Sequence, residues 1–305
     1  MEFLYWLENL RMPVLNEFML TVTMLGEETA FLALAMIFFW CVDKKRGYLM
    51  MSVGFLGIMA NQFMKLWFRI PRPWVLDENF TILEQAREAA AGYSFPSGHT
   101  TTAFATFGSI AASTKRRWVM VLNIVLAVLV GFSRMYIGVH TPADVIVGAL
   151  TSLVLIFLLR FVVLSGNEKE MKILIGAMIT GALGLLLFVE RYPFPADIDA
   201  HNLESGIKNA YTMIGSLIGV AIVYAVDVRY LDFQTDAVWW AQILKAVIGL
   251  GLVLLVKEVL RSPLDALFAG HMAARAVRYF LIVIVAGILW PMSFDWFSRL
   301  GRKVS

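Results

Sequence analysis

Cysteine is almost missing from this 305-residue chain: Cys41 stands alone, which excludes a disulfide scaffold. Charge is scarce too. Asp, Glu, Lys and Arg make up 16% of the residues, against roughly 25% in ordinary soluble domains. Neither sign prevails, since 26 Lys plus Arg face 23 Asp plus Glu, and a net charge of +3 is too small to imply nucleic-acid binding. No internal repeat and no low-complexity linker is apparent, so a separate soluble domain is not expected. What fills the chain is apolar. Hydrophobic residues reach 59% and the mean hydropathy is +0.72. So much Leu, Val, Ile, Phe and Met cannot be buried in a soluble globule of this size, whereas a bilayer accepts it on the protein surface. The composition reads as a polytopic, all-α transmembrane bundle.

Apolar blocks measured against the ~20 residues that cross hydrocarbon predict about nine spans. They fall at 28–42, 48–68, 99–113, 118–131, 143–164, 172–189, 209–226, 237–260 and 278–297. Residues 1–27 alternate apolar and charged side chains in a way that suits an amphipathic interfacial segment; an earlier start of the first span is the alternative. Glu2 and Glu8 stand where a signal peptide has basic residues, so this segment is expected to be retained. Residues 28–164 then form one group of spans and 165–305 a further set in the same membrane domain. If the nine alternate, the clusters Lys44-Lys45-Arg46 and Lys115-Arg116-Arg117, with Lys169, Lys172, Arg229, Arg299, Arg302 and Lys303, share one side, which the positive-inside rule makes cytoplasmic. Lys65, Arg69, Arg72, Arg87 and Arg134 fall on the other side, against that rule. An anionic ligand there accounts for them.

Three outer segments hold most of the unusual polar residues of the first half. In KLWFRIPRP (65–73), Lys65, Arg69 and Arg72 share a helix face until Pro71 and Pro73 end it; snorkelling cations are the simpler explanation for this segment alone. In YSFPSGHTTTAF (93–104), Ser97 is a good N-cap and Gly98 permits close backbone approach, which makes an anion cradle or simply a capped helix with an interfacial His99. In SRMYIGVHTPAD (133–144), Thr141 and Pro142 predict a helix start with Asp144 at its third position. Asp144 can there orient the imidazole of His140, complete a capping box with Thr141, or do both.

Taken together, these segments resemble the three-part signature of the type 2 phosphatidic acid phosphatase (PAP2) superfamily: Lys, six residues, Arg-Pro; Pro-Ser-Gly-His; and Ser-Arg, five residues, His, three residues, Asp. Every fixed position is present between Lys65 and Asp144. The resemblance implies a helical membrane core and hydrolysis of a lipid phosphate through a phosphohistidine, without metal or other cofactor. It implies that His140 attacks phosphorus, that Asp144 orients it, and that His99 protonates the leaving alcohol. Lys65, Arg72, Ser97, the Gly98 backbone and Arg134 would hold the phosphate oxygens. Scarce clustered carboxylates agree with a metal-free site. Phosphatidate, isoprenoid phosphates or diphosphates and sphingoid phosphates all fit, at an extracytoplasmic site in what reads as a bacterial plasma membrane.

Rival readings are a lipid phosphotransferase using the same histidine, and a lipid transporter with a vestigial site, suggested by the spans after Lys172 that the signature does not reach. Soluble haloperoxidases share related motifs, but so apolar a chain argues against them. Outside the signature, His201 and His271 read as loop or interfacial residues and Lys245 as a snorkelling cation. Lys257, Glu258 and Arg261 read as an ion-pair group, and Trp239, Trp240 and Trp290 as an aromatic belt.

Overall fold

The computed structural model of the chain describes residues 1–87, 90 and 92–300, and no strand occurs among them. In chain order the helices are α1 (Glu2–Asn9), α2 (Pro13–Met24), α3 (Glu28–Cys41), α4 (Lys44–Phe68), α5 (Pro73–Leu76), α6 (Gly98–Ala103) and α7 (Ser109–Ser113). Then come α8 (Arg117–Tyr136), α9 (Pro142–Ser165), α10 (Glu168–Arg191), α11 (Ala200–Val226), α12 (Trp239–Val259), α13 (Arg261–Leu267), α14 (Ala273–Ile284) and α15 (Phe294–Arg299). Two compact units divide the chain. The first gathers Met1–Leu32, Leu49–Phe161 and Tyr192–Gly206; the second gathers Ala33–Tyr48, Val162–Arg191 and the chain from Ile207 on.

Six stretches are long and apolar enough to cross a membrane: Lys44–Leu76, Arg117–Tyr136, Pro142–Ser165, Glu168–Arg191, Ala200–Leu231 and Ala273–Arg299. A seventh arises if α2 and α3, bent by 53° at their junction, count as one. The expected nine is not confirmed: six or seven stretches pass on length and hydropathy. The block at 99–113 shows why. It forms one continuous helical run, α6, the π-helical stretch Phe104–Gly108 and α7, shorter than the ~20 residues of a full crossing, and it buries Thr100, Thr101, Thr102, Thr106 and Ser109. Arg302 and Lys303, expected among the cytoplasmic cations, lie outside the described residues.

In the first unit α8 is the hub, packed by α1, α2, α6 and α7. Close approach depends on small residues and hydroxyls, as in membrane helix packing generally. A Cβ on Gly26 would lie 2.7 Å from the His99 carbonyl oxygen, and one on Gly148 2.7 Å from that of Ser97. The Ser152 hydroxyl donates to the Thr101 carbonyl at 2.7 Å, and the Thr102 hydroxyl to that of Gly26. The outer face of α9 exposes Ile146, Leu150, Leu153, Val154, Phe157 and Phe161, a surface that a bilayer covers. From the N-terminal segment, Leu4, Leu7 and Met19 join Phe80, Ile82, Tyr136 and Val139 in one core cluster. Arg11 donates to the Tyr136 and Thr81 carbonyls at 3.1 and 3.0 Å, which straps down the turn leading to His140.

The second unit has its own buried polar centre. Lys44 pairs with Asp227 at 3.0 Å and Asp232 at 3.2 Å. Lys245 does not snorkel outward: it is fully buried, donates to the Thr235 carbonyl at 2.9 Å and lies over the Phe294 ring. His271 belongs to this unit, packed edge-on against Tyr211.

Candidate active site

The site begins where α4 ends. Arg69 takes the left-handed conformation (φ 53°) that closes the helix, and Arg72 is extended with φ −71° and ψ 157° ahead of Pro73. That break turns the Arg72 guanidinium inward, where it is 4% exposed. Its Nε donates to the Gly92 carbonyl at 3.0 Å and its Nη1 to the Val139 carbonyl at 2.9 Å. Lys65 Nζ donates to the Tyr93 carbonyl at 2.8 Å. A short strap, residues 92–94, thus holds two cations by their donors.

Ser97 caps α6: its hydroxyl accepts from the Thr100 amide at 3.4 Å and the Thr100 hydroxyl at 2.9 Å. Gly98 and His99 follow in the first turn, and a Cβ on Gly98 would meet only Asn61 Oδ1, at 3.8 Å. In the last turn of α8, Arg134 is 2% exposed. Its Nη1 donates to the Thr23 hydroxyl at 2.6 Å, while its Nε is buried with no hydrogen-bond partner among the described residues. A buried donor without a partner costs on the order of 1–3 kcal/mol.

At the head of α9 the Thr141 amide donates to Asp144 Oδ2 at 2.7 Å and the Asp144 amide to the Thr141 hydroxyl at 3.3 Å, a reciprocal capping box. Asp144 also faces His140, with Nδ1 to Oδ2 at 3.4 Å, so one carboxylate serves both contacts. The other ring nitrogen, Nε2, lies 2.9 Å from Arg72 Nη1. A guanidinium only donates, so Nε2 is the lone-pair nitrogen and Nδ1 carries the proton toward Asp144. Burial holds the His140 imidazole well below its ordinary pKa near 6.5, and the nearby Arg72, Arg134 and Lys65 push the same way.

Lys65, Arg72, Gly98, His99, Arg134 and His140 line one cavity of about 140 Å³. Asp144 stands behind His140 rather than in the lining, and the Ser97 hydroxyl is turned into its helix cap. Sequence patterning did not single out Ser94. Fully buried, it donates to Asp144 Oδ2 at 2.5 Å and lies 3.4 Å from His140 Nδ1. His201, read as a loop residue, also lines the cavity, with Gln62, Asn202 and Ser205. The usable signal was Asp199, a capping residue ahead of a long apolar run. No carboxylate lines the cavity among the described residues, so it suits an anion rich in oxygen.

The sequence matches the PAP2 superfamily profile over residues 46–166. It matches that of the PAP2 superfamily phosphatase transmembrane extension over 211–303. It is 33% identical to phosphatidylglycerophosphatase B of Bacillus subtilis over 164 residues, covering 50% of this chain and 76% of that protein. It is 34% identical to undecaprenyl-diphosphatase BcrC of the same organism over 105 residues, covering 34% of this chain and 51% of that protein. Among solved structures, Aquifex aeolicus LpxE aligns over 52% of this chain and 92% of its own, with 27% identity and a TM-score of 0.45.

Proposed function

The chain belongs to the PAP2 superfamily, and from that membership we propose that it is a membrane phosphatase acting on a lipid or isoprenoid phosphate through His140. The observation that carries the reading is that His140, its lone-pair nitrogen held by Arg72, lines one cavity with His99 and with the fixed charges Lys65, Arg72 and Arg134. In this scheme Nε2 attacks phosphorus as the bond to the leaving oxygen breaks, and His99 gives that oxygen a proton. Asp144 holds Nδ1–H and stabilises the charge the ring acquires. Lys65, Arg72, the unpartnered Arg134 Nε and the Gly98 backbone stabilise the charge on the equatorial oxygens, while Ser97 fixes the turn that presents Gly98. Water, activated by His99 acting as base, then cleaves the phosphohistidine and releases phosphate. A cation-rich lining repels a divalent metal rather than ligating it, so the scheme runs without one.

The extracytoplasmic placement rests on α8. Lys115, Arg116 and Arg117 stand at its start and Arg134 in its last turn, so the end beside the cavity is opposite the basic cluster. The lipid tail stays in the bilayer while the phosphate enters, and a bacterial plasma membrane is the setting this implies. Purified His140→Ala protein, assayed for phosphate release from phosphatidate, farnesyl diphosphate and sphingosine 1-phosphate, is expected to lose at least about a thousandfold in rate. Wild-type rates in the variant would overturn the proposal.

A further inference from the structure

One wall of the cavity comes from outside the three motif segments, from the turn that opens α11. His201, Asn202 and Ser205 form it, together with Gln62 of α4. The wall is built into the site. Asp199 Oδ1 accepts from the Asn202 amide at 2.7 Å and from Asn202 Nδ2 at 2.9 Å. The Asp199 amide donates to the Tyr93 hydroxyl at 3.0 Å, and the Tyr93 carbonyl is the group that holds Lys65. Gly92, with φ +78°, lies so close that a Cβ there would sit 1.9 Å from Asn202 Nδ2. The strap that fixes the two cations therefore also fixes this turn.

The wall has a distinct chemistry: an imidazole, a hydroxyl and two amides, with neither a fixed charge nor an apolar side chain. It offers nothing to a hydrocarbon tail. The phosphoryl group in flight already has Lys65, Arg72, Arg134 and Gly98 for its oxygens, so these side chains are surplus to its needs. His201 is exposed at the cavity mouth, and no group among the described residues hydrogen-bonds its ring or the Ser205 hydroxyl. We propose that His201, with Ser205, forms a subsite for an oxygen-rich leaving group, one that carries a second phosphoryl or hydroxyls beside the scissile bond. It sets a preference for such substrates over plain prenyl or alkyl phosphates. The inference rests on the phosphatase reading above.

The test compares kcat/KM for farnesyl phosphate, farnesyl diphosphate and phosphatidylglycerol phosphate in wild type, His201→Ala, His201→Gln and Ser205→Ala. In His201→Ala the ratio of either oxygen-rich substrate to farnesyl phosphate is expected to fall about tenfold, the loss of one hydrogen bond to a charged or polar group, and His201→Gln recovers part of it. A fall on the diphosphate alone identifies the second phosphoryl as the ligand, and a fall on phosphatidylglycerol phosphate alone identifies hydroxyls. Equal losses on all three, or an unchanged ratio, overturn the subsite. A wild-type protein that hydrolyses none of the three but does cleave phosphatidate or sphingosine 1-phosphate overturns the subsite alone, and one that hydrolyses none of the five overturns the phosphatase reading and the subsite with it.

Discussion

His140 shows how much a single side chain owes to its neighbours. Its proton points to Asp144 and Ser94, its lone pair to Arg72, and burial keeps it neutral. Because its pKa is lowered, the neutral form persists as pH falls below 6.5, so any acid limb in kcat/KM that His140 controls lies below that value. Ser94→Ala removes a donor from a buried carboxylate and is expected to slow turnover about tenfold or more, with KM little changed. One pH–rate series on wild type and Ser94→Ala checks both; a limb above pH 6.5 traced to His140, or full activity in the variant, contradicts them. The signature residues were legible because their types and spacing are chemical. Ser94 was not, because no spacing rule marks it although it lies inside the second segment, and His201 was not, because it meets the site across a long stretch of chain.

At the level of helices, what positions the chemistry is how elements start and stop. α4 stops at Arg69 and frees Arg72; α9 starts at Thr141 and places Asp144 one turn from His140. The second boundary was legible from Thr141 and Pro142, whereas the first falls at Phe68, ahead of Pro71 and Pro73, and takes Arg69 off the helix face expected for it. The strength of the second is testable. Thr141→Ala removes the acceptor for the Asp144 amide, at a cost of about 1 kcal/mol. The thermal midpoint of the detergent-solubilised variant is expected to drop and kcat to fall severalfold, and an unchanged midpoint would show the cap to be idle. Less legible was the α6–α7 run, read as an apolar block, whose threonines pack inside the first unit. Hydropathy averages over a block and misses which face is polar.

Across the whole molecule, scarce charge is used selectively. Lys65, Arg72 and Arg134 surround one cavity, while Lys44 and Asp227 pair in the second unit. In the proposed scheme three fixed cations take the part a metal plays in other phosphatases, so phosphate release in excess EDTA is expected to stay within about twofold of that in magnesium buffer. Abolition by EDTA, with recovery on adding back a divalent ion, would contradict this. The all-helical membrane character was legible from composition alone, since it reflects bulk solvation. The number of crossings was not, because it depends on which apolar blocks find protein partners instead of lipid.

The 2.9 Å contact between Arg72 Nη1 and His140 Nε2 has a consequence for the idle enzyme. The electron pair that in the proposed mechanism bonds to phosphorus is engaged by the Arg72 guanidinium. Under the proposed mechanism, an incoming phosphate competes for that same guanidinium and so frees the nitrogen that attacks it.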